Sequence, residues 1–350
     1  MLYGPFLICF LAAPALAASC VSVPTPEDAN AARSQTSLYL GHVILTINQR
    51  TPLNGIDKTD TARIQPILEP LTYAWKNNTI PYIFGANGAD GSPFPAVQKA
   101  TVLAAMEYWQ SVACVTFRPV DLVNDYEYLT LWATANNKGC YSNLGMVQEG
   151  SYITTISLQG CEEYAVAADM LAHTLGIYYT GDAITDKPSV STIAAVNELY
   201  KCGASCTTKI ACLNGGSPSG TDCAKCVCPA GWAGAKCDET SPGTQLIQVT
   251  DTRDVSVAMT GTFLSSEEKV IIVQAPAGKK LQATVKSFGP DCFTACTPTG
   301  LQIIGGSTDN TICSLASPSS PIISNGNTLT LRLYRTANYA VQSTISLSVV

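Results

Sequence analysis

The 350-residue chain carries two histidines, His42 and His173. His173 lies in the segment EEYAVAADMLAHTLG, four residues after Asp169. Residues four apart on a helix share a face, so this carboxylate and this imidazole could act together on a metal ion. A catalytic zinc site takes three protein ligands, usually two or three of them His, and leaves the fourth position to water. With two histidines in the whole chain, a His-rich metal site is excluded by inventory. Met170, directly after Asp169, is a flexible gap-filler with no proton to exchange.

Cysteine is the other reactive residue, and there are 15. That number is too high for a reduced cytosolic chain without zinc fingers. The opening MLYGPFLICFLAAPALAASC is apolar and ends in Ala15-Leu16-Ala17, a small-x-small pattern, so residues 1–17 are expected to be a signal peptide. Cys9 would leave with it, and 14 cysteines would remain in a secreted protein that does not span a membrane. Asn77-Asn78-Thr79 makes Asn77 the glycosylation acceptor. A net charge of −6, with 13% charged residues, gives no electrostatic footprint for nucleic acid.

These residues need elements to position them. Residues 18–78 are polar and mixed, with SLYLGHVILTINQ as one alternating, strand-like segment. Residues 79–202 alternate between strands (TIPYIFG, EYLTLWATA, SYITTISL) and helices. PAVQKATVLAAMEYWQSVACVTF carries Val97, Ala100, Ala104 and Tyr108 at helical spacing. EEYAVAADMLAHTLG reads as a helix with Gly176 as its C-cap. Residues 203–238 are rich in Cys and Gly and too poor in aliphatic side chains to hold together by burial alone. A linker at 239–245 leads to residues 246–350, whose alternating segments suggest an all-β sandwich.

TIPYIFG, the helix leading to Cys114, the spacing of Cys140 and Cys161, and ADMLAHTLGIYY together resemble an astacin peptidase domain. That family carries HExxHxxGxxH eight residues after the second cysteine of its GC…GC pair, and Cys161 to Asp169 has that spacing. Two His at i and i+4 grip zinc, the intervening Glu takes the proton of the metal-bound water, and the Gly turn brings back a third His. The resemblance implies that Asp169, His173 and Tyr179 occupy the ligand positions and Met170 the general-base position. Of these the family's own residues persist at His173 and at Gly176. A phenol such as Tyr179 ionises near pH 10 and needs a strong Lewis acid to act as a ligand. The resemblance also implies disulfides Cys114–Cys202 and Cys140–Cys161.

Three further departures point the same way. The stretch from Thr180 to Lys201 holds no Met and is short for the family's lower lobe and its Met-turn. TIAAVNELYKC still resembles the closing helix. The family's inhibitory FxGD motif is matched by Tyr39, Leu40, Gly41 and His42, and the Glu after the third His by Thr180.

Cys206, Cys212, Cys223, Cys226, Cys228 and Cys237 allow fifteen pairings. With CLNGG and CVCPAGWAGAKC they resemble an EGF-like module, which implies Cys206–Cys223, Cys212–Cys226 and Cys228–Cys237. KVIIVQAPAGKKLQATVKSF and NTLTLRLYRT…SLSV resemble a CUB domain with Cys292, Cys296 and Cys313, one short of two disulfides, with Cys20 as a candidate partner. Asp309 is the candidate for an acidic calcium ligand there. Arg332, Tyr334 and Arg335 are expected on a solvated strand face, with a contact patch as the alternative.

The expected architecture is therefore multidomain: a truncated α+β metzincin lobe of astacin type, a small disulfide-rich EGF-like module and an all-β CUB-like sandwich. The expected function is that of a catalytically inactive extracellular binding or decoy protein without a cofactor, whose partners are extracellular proteins or matrix. The alternatives are an active zinc metalloendopeptidase with atypical ligands, and a structural matrix-associated protein.

Overall fold

A computed structural model describes residues 74–85, 94–132, 140–147, 153–158, 164–178, 187–208, 210–260, 267–289, 299–306, 310–312, 319–335 and 340–350, with short backbone stretches at 9–10, 19–20, 38–39, 43–45 and 65–66. His42, Cys161, Tyr179, Thr180, Cys292, Cys296, Asp309 and Cys313 lie outside the described residues.

The N-terminal lobe is built on one mixed sheet. Its strands are β1 (Leu38–Tyr39), β2 (Val43–Ile44), β4 (Thr79–Phe84), β5 (Thr116–Pro119), β6 (Tyr128–Trp132), β7 (Cys140–Asn143) and β8 (Ile153–Leu158), with β3 (Gln65–Pro66) set apart from them. The spatial order is β1-β2-β7-β8-β6-β4-β5. SLYLGHVILTINQ, expected as one strand, instead supplies two that pair antiparallel, Leu38 with Ile44 and Tyr39 with Val43. Strand β2 then runs parallel to β7. The other edge, β5, is blunted, since Pro119 has no N–H to offer a further strand. There the Phe117 N–H donates to Gln110 Oε1 at 2.7 Å.

Helix α1 (Ala96–Val112) packs against α2 (Tyr164–Thr174), and α3 (Val190–Leu199) closes the lobe. The apolar stripe of α1 is not the one its alanines suggest. Val102, Ala105, Met106 and Trp109 are buried, while Val97 is 80% exposed. Both stripes have helical spacing, but burying an indole removes far more apolar surface than burying alanines. Trp109 therefore decides the rotation. Ser189 caps α3, its hydroxyl accepting from Thr192 N at 3.1 Å. A disulfide joins Cys114, just after α1, to Cys202, just after α3.

The cysteine-rich segment carries bridges Cys206–Cys223, Cys212–Cys226 and Cys228–Cys237 around two small ladders. These pair β10 (Ser217–Pro218) with β11 (Cys226–Val227), and β12 (Trp232–Ala233) with β13 (Glu239–Thr240).

The C-terminal unit comprises β14 (Gln245–Gln248), β15 (Arg253–Met259), β16 (Glu267–Gln274), β17 (Leu281–Gly289), β18 (Thr299–Ile304), β19 (Asn310–Ile312), β20 (Ile322–Ile323), β21 (Thr328–Arg335) and β22 (Val341–Val349). They form sheets β14-β16-β21-β18-β19 and β15-β22-β17-β20, whose alternate side chains meet in one apolar core. Gln245, assigned to the linker by composition, already belongs to β14. Arg332, Tyr334 and Arg335 are each 1% exposed, so neither the solvated face nor the open patch expected of them exists. Among the described residues no helix is long and apolar enough to cross a membrane.

Candidate functional site

The chemistry-bearing pair sits on α2, whose residues Ala165 to Thr174 are all buried. The run AVAADMLAHT has the composition for this: small alanines let the helix approach its neighbours, and Val166, Met170 and Leu171 fill the gaps. Two tryptophans fix its position. Trp109 Nε1–H donates to Ala168 O at 2.9 Å, and Trp75 Nε1–H donates to Thr174 O at 2.9 Å. Trp75 precedes Thr79, the expected start of the lobe, yet belongs to its core.

The helix ends as a helix before glycine should. Gly176 has φ 98°, a left-handed value that favours glycine, and its N–H donates to His173 O at 2.8 Å. Gly145 N–H donates to the same carbonyl at 2.9 Å. The turn carries the chain into β9 (Ile177–Tyr178), which pairs antiparallel with β3.

That turn also orients the imidazole. His173 Nδ1 lies 2.8 Å from Ile177 O. Because a carbonyl can only accept, Nδ1 carries the proton there. Nε2 points at Asp169 Oδ2 across 3.6 Å, a separation that suits an i,i+4 pair on one helix face. Asp169 Oδ2 is buried and accepts no hydrogen bond from the described residues. A backbone acceptor that fixes one ring nitrogen is also how metal-binding histidines are oriented. His173 thus keeps a ligand-like orientation, and Asp169 places an oxygen beside it. Among the described residues no third carboxylate, thiol or imidazole joins them. Met170, between the two, is fully buried and contributes a thioether to the core.

Behind the helix, Tyr200 closes the lobe. Its hydroxyl accepts from Trp75 N at 3.4 Å. Burial pushes the phenol well above its usual pKa, so it stays neutral. Asn78 Nδ2 donates to Tyr200 O at 3.3 Å and lies 3.1 Å from Cys114 Sγ, so Asn78 faces inward. Asn77 beside it faces solvent, the geometry a glycan acceptor requires. Cys140 is disulfide-bonded, and its expected partner Cys161 lies outside the described residues.

Trp75→Phe should lower lobe stability by about 1–2 kcal/mol, because it leaves Thr174 O without its indole donor inside the core. Denaturant unfolding followed by circular dichroism would measure it. An unchanged midpoint would mean that the indole does not anchor α2.

Residues 68–197 match the model of the Astacin family (peptidase family M12A). The chain is 24% identical to zinc metalloproteinase nas-29 of Caenorhabditis elegans over 72% of its own length and 60% of that protein's. It is 23% identical to zinc metalloproteinase nas-23 of the same organism, over 68% and 59%. It spans 44–60% of the length of these and the next curated relatives. Among solved structures, the hatching-enzyme zinc-protease HCE-1 of Oryzias latipes aligns at 24% identity and TM-score 0.23, covering 30% of this chain and 48% of that one. The CUB1-EGF-CUB2 domains of rat MASP-1 align at 10% and 0.24, covering 31% and 42%.

Proposed function

We propose that this chain, which carries an astacin-type domain, is a secreted protein that binds other extracellular molecules and performs no peptidase chemistry. Met170 carries the proposal. Astacin relatives use zinc, and the hydrolytic step needs a base to take the proton of the metal-bound water. At that position stands a buried thioether, which holds no proton and accepts none at neutral pH. The donor set agrees with this reading. Asp169 and His173 could share a metal ion through oxygen and nitrogen, but a hydrolytic zinc centre takes three ligands and is dominated by imidazole. These residues do not fit such a centre.

The pattern of loss supports the same reading. A single substitution in a ligand would leave an enzyme awaiting repair, whereas here two ligand positions and the base differ together within the eleven residues from Asp169 to Tyr179. The expected leader, the disulfide-rich modules and the exposed Asn77 fit an extracellular protein. EGF-like and CUB-like modules then supply contact area, with extracellular proteins or matrix as the proposed partners.

The second reading is a working metalloendopeptidase with atypical ligands. His173 favours it, because its imidazole is still held as metal-binding histidines are, and the curated relatives are named zinc metalloproteinases. Elemental analysis separates the two. Purified secreted chain should contain well under one zinc per molecule after mild chelation and dialysis. A stoichiometric content that survives would overturn the proposal in favour of the second reading.

A further inference from the structure

In the five-stranded sheet of the C-terminal unit, β21 and the second half of β16 are buried on both faces. Ile271, Val273, Leu331 and Leu333 point into the sandwich core. Their neighbours Val270, Ile272, Arg332 and Tyr334 lie on the outer face, which an isolated sandwich would leave to water, and they are at most 8% exposed.

The cover includes the rest of the same chain. Gly231 has φ +85°, and a Cβ there would lie 2.8 Å from Val270 Cγ1 and 3.4 Å from Ile272. The backbone of the disulfide module therefore sits directly on the sheet, where no larger residue fits. Lys187 of the lobe reaches Glu268 Oε2 at 3.3 Å, and the same oxygen lies 2.7 Å from Arg332 Nε. Burial pushes the Glu268 carboxyl up, but Arg332 and then Lys187 outweigh it and hold the group below its usual pKa. Lys187 and Glu268 are each about two-fifths exposed, so their pairing guides orientation and contributes little stability.

The module is docked on its other side too. A Cβ on Gly220 would collide with the Asn197 side chain of α3 and lie 3.1 Å from Ala113 Cα. Thr221 Oγ1 donates to Ser111 O at 3.3 Å, and Val227 packs against the lobe core. The connection to the sandwich is tied back as well: Ser241 N–H donates to Gly231 O at 2.9 Å and Thr244 N–H to Ser241 O at 3.1 Å.

We infer that the disulfide module is a rigid wedge. It docks on the lobe through Gly220 and on the sheet through Gly231, so that the three units act as one body and the face around Arg332 and Tyr334 is an internal joint closed to outside partners. Partners must then read the lobe and the sandwich in one fixed relative geometry. Multivalent binding through a flexible spacer does not apply to such a body.

The test uses the full secreted chain. A carbodiimide, which joins only touching amine and carboxylate groups, should yield a Lys187–Glu268 linked peptide. Endoproteinase Glu-C should cut after Glu239 at least about tenfold more slowly than in the reduced, denatured chain, because cleavage requires local opening. Lys187→Ala should lose the linked peptide and keep the protection. Ile272→Lys, which drives a charge into the joint, should lose both while the module keeps its three disulfides. Absence of the linked peptide from the wild-type chain, or cleavage after Glu239 as fast as in the denatured chain, overturns the inference whether or not the variants fold.

Discussion

The triple variant Asp169→His, Met170→Glu, Tyr179→His is expected to bind zinc at one per chain with Kd below about 1 µM, or more than about 8 kcal/mol of binding free energy. Two features support so large an effect. Residue 169 already faces His173 across 3.6 Å, and His173 Nδ1 is already held by Ile177 O, so the first two imidazoles need little reorganisation. Gly176 keeps the left-handed turn after the helix. Met170→Glu works in the opposite direction in the metal-free protein, since it puts a carboxyl at a fully buried position. The apo variant should therefore melt below the parent, and zinc should raise its midpoint by mass action. Titration calorimetry and a thermal scan at two zinc concentrations would show both. Hydrolysis should stay near background. Helix α3 alone takes 10 residues of the short stretch from Thr180 to Lys201, which leaves little chain to build a wall that positions the scissile bond. Robust, zinc-restored cleavage by this variant would mean that the cleft is intact and that only ligands were lost.

Removing the Cys114–Cys202 bridge by the double change Cys114→Ala, Cys202→Ala should destabilise the lobe by on the order of 4–5 kcal/mol in the chain-entropy model. The bridge closes a loop with sequence separation 88, against 9 for Cys228–Cys237. It ties the end of α1 to the end of α3, and Asn78 and Tyr200 pack around it. A domain stable by only about 5–15 kcal/mol loses a large share of that margin, so secretion should fall sharply. Unfolding of the purified variant at an unchanged denaturant midpoint would show that packing around Trp109 suffices without the bridge.

Much of this architecture can be read from the residues. Alternation marked most of the strands, and the Ala-rich run ending at Gly176 marked α2, because period and cap are local properties of the sequence. What escaped depends on partners distant in sequence. The burial of Trp109 rotates α1 away from the stripe its alanines suggest. The outer sheet face at Arg332 and Tyr334 carries strand alternation typical of a solvated surface, yet both are buried, and Gly231 sits on the same face at Val270 and Ile272. The linker escaped for a similar reason: SPGTQ has linker composition, yet Ser241 is hydrogen-bonded to Gly231, a pairing no composition signals. At the site itself the identities of Asp169, Met170 and His173 were legible, and the hold of Ile177 O on His173 was not.

The most direct measurement is a cleavage assay on the unmodified secreted chain with an unstructured protein substrate, run with added zinc, with a chelator, and with zinc restored. A non-catalytic protein gives the same background in all three, and His173→Ala leaves that background unchanged. Cleavage that the chelator abolishes, zinc restores and His173→Ala removes would contradict the account, and would make the protein an enzyme that works without a glutamate at position 170.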